Sequence, residues 1–232
     1  MPTHKVKLKR REEIAERTMA FYFSKPPGFE FRPGQFCNLA LLDPPETDAE
    51  GNLRSLSIAS APFEEELMVA TRLRDTAFKR VLGRAPLETE VKLAGPFGPF
   101  ALHEDASRPA VFLVGGIGIT PFRSMILDAA HKNLPHQLWL FYSNRRPEDA
   151  SFLQELQQLE KTYANFKVVA TMAEMEKSKQ PWDGETGFIR KESYLFPVGR
   201  KLRIHFSCTG RIGKVDRVSI IHGHVKNITP SV

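Results

Sequence analysis

A chain of 232 residues with 41% hydrophobic side chains buries an ordinary core and suits two modest domains or one large one. Its formal net charge of +6 sits wholly in residues 200–232, where seven basic side chains face one acid, Asp216; the rest of the chain is neutral, which argues against a sequence-wide nucleic-acid surface. The longest apolar run, Ala110 to Thr120, is interrupted by glycines and falls short of the roughly 20 residues of a membrane helix.

Met1 to Arg11 is basic with no apolar segment behind it, so no secretory signal is expected. The first hundred residues then read as β structure: Val6 and Leu8, Met19 to Phe23, Gln35 to Leu42, Leu56 to Ala59, Leu67 to Arg72 and Val91 to Leu93. Turn-formers separate these runs at Pro26-Pro27-Gly28, Pro33-Gly34, Asp43-Pro44-Pro45 and Gly95-Pro96, a spacing that predicts a small antiparallel barrel. One helix is expected within it, from Thr76 to Leu82, N-capped by Asp75 or Thr76.

After His103 the rhythm changes. Ala110 to Val114 is a continuous apolar run, as in a parallel strand covered on both faces, and Thr120-Pro121 opens a helix to about His131. Gln137 to Tyr142 is a second strand, Pro147 to Thr162 a helix with Leu153, Leu156 and Leu159 on one side, and Phe166 to Thr171 a third strand. Strand–helix alternation of this kind predicts βαβ units and a parallel sheet. The polar stretch 103–109 divides an antiparallel β-barrel domain, 1–103, from an α/β domain, 109–232, whose tail 200–232 is atypical.

Gly115-Gly116-Ile117-Gly118, between a strand and a helix, is the first chemical signal. Bare backbone N–H groups at a helix N-terminus suit a pyrophosphate, although a tight turn needing positive φ explains the glycines equally well. Tyr142-Ser143-Asn144-Arg145-Arg146 ends the next strand, where dinucleotide folds meet the adenosine ribose. An arginine there suits a 2′-phosphate, so the stretch favours NADPH, with an exposed charged loop as the alternative. Arg54-Ser55-Leu56-Ser57-Ile58-Ala59-Ser60 is the second signal. Arg54 can fork onto a phosphate, yet taken alone this strand reads more simply as a sheet edge with an exposed arginine.

Together these motifs are more specific. The Arg54-Ser55-Leu56-Ser57 strand, the Gly95-Pro96-Phe97-Gly98 turn and the Gly115-Gly116-Ile117-Gly118-Ile119-Thr120-Pro121 loop follow one another, flanked by Pro33-Gly34-Gln35-Phe36 and Gly184-Glu185-Thr186-Gly187. The chain from Lys5 to Phe188 resembles the ferredoxin–NADP reductase family. The resemblance implies an FAD-binding β-barrel followed by an NAD(P)-binding α/β domain, with hydride passing from NADPH or NADH to FAD. It implies that Arg54 binds the FAD pyrophosphate, that Ser55, Leu56 and Ser57 line the flavin with Ser57 near N5, and that Arg72, Leu73, Arg74 and Thr76 close over its phosphates. Leu56 stands where the family usually has Tyr or Phe against the flavin. Gly115, Gly116, Gly118 and Thr120 would hold the nicotinamide nucleotide, Thr120 nearest its ring, and Ser143 and Arg145 match the positions that distinguish NADPH from NADH.

The implied acceptor is a ferredoxin, a flavodoxin or an oxygenase component. Cys37 and Cys208 alone form neither an iron–sulfur site nor a disulfide framework, so any such centre lies on a partner and a reducing cytoplasm is the default location. A reductase of free flavin, quinone or ferric iron, and a flavin-binding subunit with an impaired nicotinamide site, are the rival readings. The seven histidines lack metal-ligand spacing, so no metal is assigned, and His131 and His136 read as surface residues. Cys208-Thr209-Gly210 faintly echoes the family's last strand end, which would bring Cys208 near the transferred hydride. Beyond it the pattern is lost. The tail is either a divergent end whose bases meet an acidic partner or a foreign frame lacking the last strand and helix, and the abrupt charge shift favours the second.

Overall fold

The computed structural model describes residues 3–189 and the backbone of 203–208. Six strands form the first sheet: β1 (Thr3–Ala15), β2 (Thr18–Ser24), β3 (Phe36–Leu41), β4 (Leu53–Ser57), β5 (Glu66–Arg72) and β6 (Glu90–Phe97), in the order β4-β3-β6-β1-β2-β5. The named pairs are antiparallel. Beyond β4 the chain bridges β5 antiparallel at Ile58 and Val69, and Ala59 N–H donates to Met68 O at 2.7 Å. The chain beyond β4 therefore joins the two ends of the sheet and closes the barrel at this point.

Alternation explains the interior. Val6, Leu8, Phe21, Phe23, Leu39, Ile58, Leu67, Val69, Val91 and Leu93 point inward and are buried, with α1 (Ala77–Arg84) adding Phe78 and Leu82. Cys37 is also inside, and burial pushes its thiol up to about 12. The outward residues Ala20, Tyr22, Met68 and Ala70 are buried too, because Ile117 and Phe152 of the second lobe pack on them.

The second sheet is parallel, ordered β10-β9-β8-β7-β11. It comprises β7 (Ala110–Gly115), β8 (Leu138–Asn144), β9 (Phe166–Met172), β10 (Glu185–Thr186) and β11 (Arg203–Cys208). On one face Phe112, Val114, Leu138, Leu140 and Tyr142 pack with α2 (Thr120–His131) and α3 (Leu153–Thr162). The other face buries Val111, Leu113 and Phe141. No helix among the described residues is long and apolar enough to cross a membrane.

Three expectations change. The helix from Pro147 to Thr162 is two pieces: a 3-10 turn, Pro147–Asp149, and α3, separated at Phe152, which takes a left-handed φ of 60°. Ring contact with the barrel wall and the lobe seam outweighs helix propensity there. The last strand is present, since Arg203–Cys208 runs parallel to β7 in full register; the rest of the tail lies outside the described residues. His131 is exposed and stacks on Phe63 with centroids 4.0 Å apart, but His136 is buried, its Nε2 2.9 Å from His103 O. Within the polar 103–109 stretch His103 is buried, whereas Glu104, Asp105, Ser107 and Arg108 are exposed.

Candidate functional site

Parallel strands expose their carboxyl ends along one rim, the usual place for a ligand in such sheets. Here that rim borders a cleft of about 530 Å³. Gly115, Gly116 and Ile117 line it after β7, Ser143, Asn144 and Arg145 after β8, and Ala173 and Glu174 after β9. The barrel closes the opposite wall with Thr71, Arg72, Arg74 and Lys79, and Phe188 stands at the side, half exposed.

The glycine turn has a specific construction. Gly116 adopts φ +51°, and a Cβ there would lie 3.9 Å from Arg72 Nη2. The Tyr142 hydroxyl donates toward Gly116 O at 3.1 Å and Ser151 O at 3.2 Å, pinning the turn from beneath, and burial pushes that phenol up. A 3-10 turn, Gly116–Ile119, precedes α2, so the glycines lie one turn ahead of the helix. Gly115 and Gly116 face the cleft, whereas Gly118 and Thr120 are buried and do not line it. The Thr120 hydroxyl instead reaches Ile117 O at 3.3 Å.

An adjoining cavity of about 490 Å³ is lined by Arg17, Arg72, Leu73, Arg74, Arg145, Arg146 and Lys177 together with Glu16, Asp149 and Glu174. Asp149, 1% exposed in its side chain, gathers this fan: Arg145 and Arg146 each reach it at 2.9 Å and Arg72 at 3.7 Å. Burial alone would raise the Asp149 pKa, but the two neighbouring guanidiniums outweigh it and hold the carboxyl below its ordinary value. Arg74 makes no ion pair among the described residues.

The barrel carries a second basic arrangement, around Arg54 and the start of α1. Arg54 points from β4 over the Phe78 ring, 5.0 Å from its centroid, and its guanidinium is already engaged. It bonds Glu50 Oε2 at 2.8 Å and the carbonyls of Glu50, Gly51 and Leu53 at 2.7–3.0 Å. Asp48 caps α1 from 29 residues away, accepting from Ala77 N–H at 2.6 Å. That bond, with a further one from Glu50 N–H, keeps its carboxyl below the ordinary range. Thr76 is the N-cap residue but makes no side-chain cap bond, and its buried hydroxyl has no partner among the described residues.

Ser55 donates to Asn38 Oδ1 at 2.6 Å, Leu56 packs on the barrel core, and Ser57 pairs in register with Phe36. None of residues 54–57 lines the cleft, and neither does Thr76. Leu73 lines the adjoining cavity. Cys208 ends β11 in register with Gly115, which puts its backbone at the cleft's rim. Sequence reasoning missed Lys79, Glu174 and Phe188, and it missed the capping by Asp48; only the acid-rich run from Asp43 to Glu50 hinted at the last.

The chain is similar to known proteins in sequence and in fold. A family described as oxidoreductase NAD-binding domain matches residues 112–196. The chain is 29% identical over 197 residues to the glycine betaine monooxygenase reductase subunit of Chromohalobacter salexigens, covering 84% of this chain and 52% of that protein. It is 28% identical to ferredoxin–NADP reductase B of Sorangium cellulosum, covering 75% of this chain and 69% of the other. A crystal structure of a ferredoxin NADP+ reductase from Neisseria gonorrhoeae with bound FAD and NADP superposes with a TM-score of 0.70 at 20% identity, over 90% of this chain and 85% of that one. The chain spans about half the length of the first curated relatives it matches, 52% and 40%.

Proposed function

We propose that this chain, which is similar to the ferredoxin–NADP reductase family, is a flavoprotein reductase that takes hydride from NADPH, or less readily NADH, onto FAD and passes the electrons to a separate protein. The observation that carries this reading is the cleft where the Gly115–Gly116 turn of the parallel sheet faces Arg72, Arg74 and Lys79 of the barrel. A glycine turn brings backbone close to a phosphate, and guanidiniums opposite it supply the countercharge.

In this reading residues 1–103 hold the flavin and residues from 109 onward hold the nucleotide. The unpartnered Thr76 hydroxyl at the start of α1, with Arg54 nearby, suits the FAD pyrophosphate; a buried hydroxyl without a partner is costly unless a ligand satisfies it. Bound flavin supplies acceptance of an electron pair and release of single electrons. The chain's own residues bind, orient and exclude water: Ser57 lies at the flavin end of β4, Thr120 starts the helix behind the nicotinamide, and Cys208 ends the strand beside Gly115. Arg145, Arg74 and Lys177 around the adjoining cavity favour a 2′-phosphate and hence NADPH.

The implied partner is an oxygenase component or a ferredoxin, in keeping with reductase subunits among the relatives. A reducing, cytoplasmic setting belongs to the same reading. The rival, a reductase of free flavin or another small acceptor, draws on Leu56 in place of an aromatic and on an Arg54 already engaged by Glu50, both of which would hold flavin loosely. Anaerobic stopped-flow mixing of the FAD-loaded protein with NADPH and with NADH tests the proposal. Prompt bleaching of the flavin band is expected, and turnover with ferredoxin against ferricyanide and quinones separates the two acceptor classes. A protein that takes up no FAD sinks both.

A further inference from the structure

The flavin-side strand and the nicotinamide-side helix belong to different lobes, and Thr120 makes no bond to Ser57. What fixes one against the other lies one turn further along α2. Arg123, 7% exposed in its side chain, uses every N–H of its guanidinium. Nε donates to Glu155 Oε2 at 2.7 Å, Nη1 to Ala59 O and to Glu64 Oε2 at 2.9 Å each, and Nη2 to Glu64 Oε1 at 3.2 Å and Glu155 Oε1 at 2.6 Å. Its face rests on Phe152, 5.1 Å from the centroid. The next residue, the fully buried Ser124, donates to Ser60 O at 2.7 Å. Ala59 and Ser60 follow Ser57 and Ile58 directly, so the two bonds tie the first turns of α2 to the continuation of β4. Gly34 completes the approach: at φ +96°, a Cβ there would collide with Met125 Cε of α2 at 2.2 Å.

A buried guanidinium paired with two partly exposed carboxylates is a poor way to gain stability alone, since a well-packed apolar plug of similar volume often does as well. It is a good way to fix a register, because five directed bonds admit one arrangement. We propose that Arg123 and Ser124 are positioning residues that set the separation between the Ser57 end of β4 and the Thr120 end of α2, and with it the rate of hydride transfer. This rests on the proposed function. Hydride transfer moves one hydrogen with its electron pair from the dihydronicotinamide to the flavin, leaving the oxidised nicotinamide, and a solvent proton completes the reduced flavin. A misplacement of about 1 Å in such a step costs up to roughly 100-fold.

The test compares FAD-loaded wild type with R123Q, R123K and S124A, the last being the mildest and least prone to misfold. Four quantities are read: the single-turnover rate of flavin reduction, the long-wavelength charge-transfer absorbance with NADP+, the Kd values for FAD and NADP+, and amide hydrogen exchange of the flavin-free chain. We expect reduction to slow about 10- to 100-fold in both Arg123 variants, R123K included because an ammonium lacks the fork. The charge-transfer band weakens in parallel, S124A follows in the same direction, and both Kd values stay within about twofold. Exchange rises at residues 59–68 and in α2 of the flavin-free variants. Wild-type reduction rates and band intensity in folded R123K and S124A overturn the proposal, as does a rate loss matched by equal losses in both Kd values. Wild type that holds FAD but is bleached by neither nucleotide overturns the functional reading itself.

Discussion

The two basic arrangements proposed to hold phosphates differ in what already occupies them. At the start of α1 Asp48 takes the Ala77 N–H and Glu50 takes Arg54, while the Thr76 hydroxyl has no partner among the described residues. At the rim of the parallel sheet, the Gly115–Gly116 turn and Arg74 face an open cleft. The difference follows chain order. Arg54 comes after an acid-rich loop, Asp43 to Glu50, which folds back upon it, whereas the cleft is assembled from two lobes and takes its acidic lining residue, Glu174, from the loop after β9. In the proposed reading a flavin phosphate would compete with Glu50 for Arg54, whereas a nucleotide phosphate would meet Arg74, which makes no ion pair among the described residues.

That contrast can be broken or sharpened by substitution. The largest effect is expected on the nucleotide side from D149N, which removes the carboxylate that organises Arg72, Arg145 and Arg146. Breaking a buried ionic cluster from one side costs about 3 kcal/mol, here at the low end because Arg145 keeps water access, and urea unfolding at pH 7 measures it. Because the folded-state pKa of Asp149 is depressed, its contribution is present above the ordinary aspartate value of about 3.9. The gap between wild type and D149N should stay flat above about pH 5 and close as the pH falls further. A gap that widens with acid would reverse the assignment.

On the flavin side, R54A should weaken FAD binding about 10- to 100-fold, the worth of charge-assisted bonds to a phosphate, and leave the NADP+ Kd unchanged by calorimetry. If both ligands weaken equally, the two sites are not separate. R145A should lower NADPH affinity about tenfold relative to NADH, the effect of one exposed guanidinium on a phosphate; steady-state kinetics with both nucleotides would show it, and no change in preference would return Arg145 to a structural role. E50Q is the smallest and has the opposite sign. Freeing Arg54 from an exposed partner should tighten FAD by no more than about fivefold, and weaker binding would mean that Glu50 organises the site instead of competing for it.

The alternation of Met19 to Phe23 and Leu67 to Arg72 and the apolar run Ala110 to Val114 carried most of the architecture, because period and burial are local properties of a strand. A barrel was legible from the strand spacing, but not the bridge of Ile58 to Val69 that joins its ends, since it lies past the end of β4. Nor was the break at Phe152, where contact with the other lobe overrides a helical pattern. Within the site, the glycine turn and Arg145 were readable from spacing. Lys79 and Glu174 were not, because each reaches the cleft only when separate segments meet. Asp48 illustrates the limit: its cap lies 29 residues along the chain, far beyond the three-residue reach of an ordinary capping motif.

Cys37 gives the closed barrel a built-in clock. Its thiol is sealed in the core and kept protonated by burial, so a thiol reagent in solution meets no thiolate there while the staves stay joined. In a chain whose other cysteine is replaced, the pace of labelling at Cys37 is then the pace at which the barrel opens, and a ligand that fastens the staves slows the clock by the factor with which it stabilises the closed form.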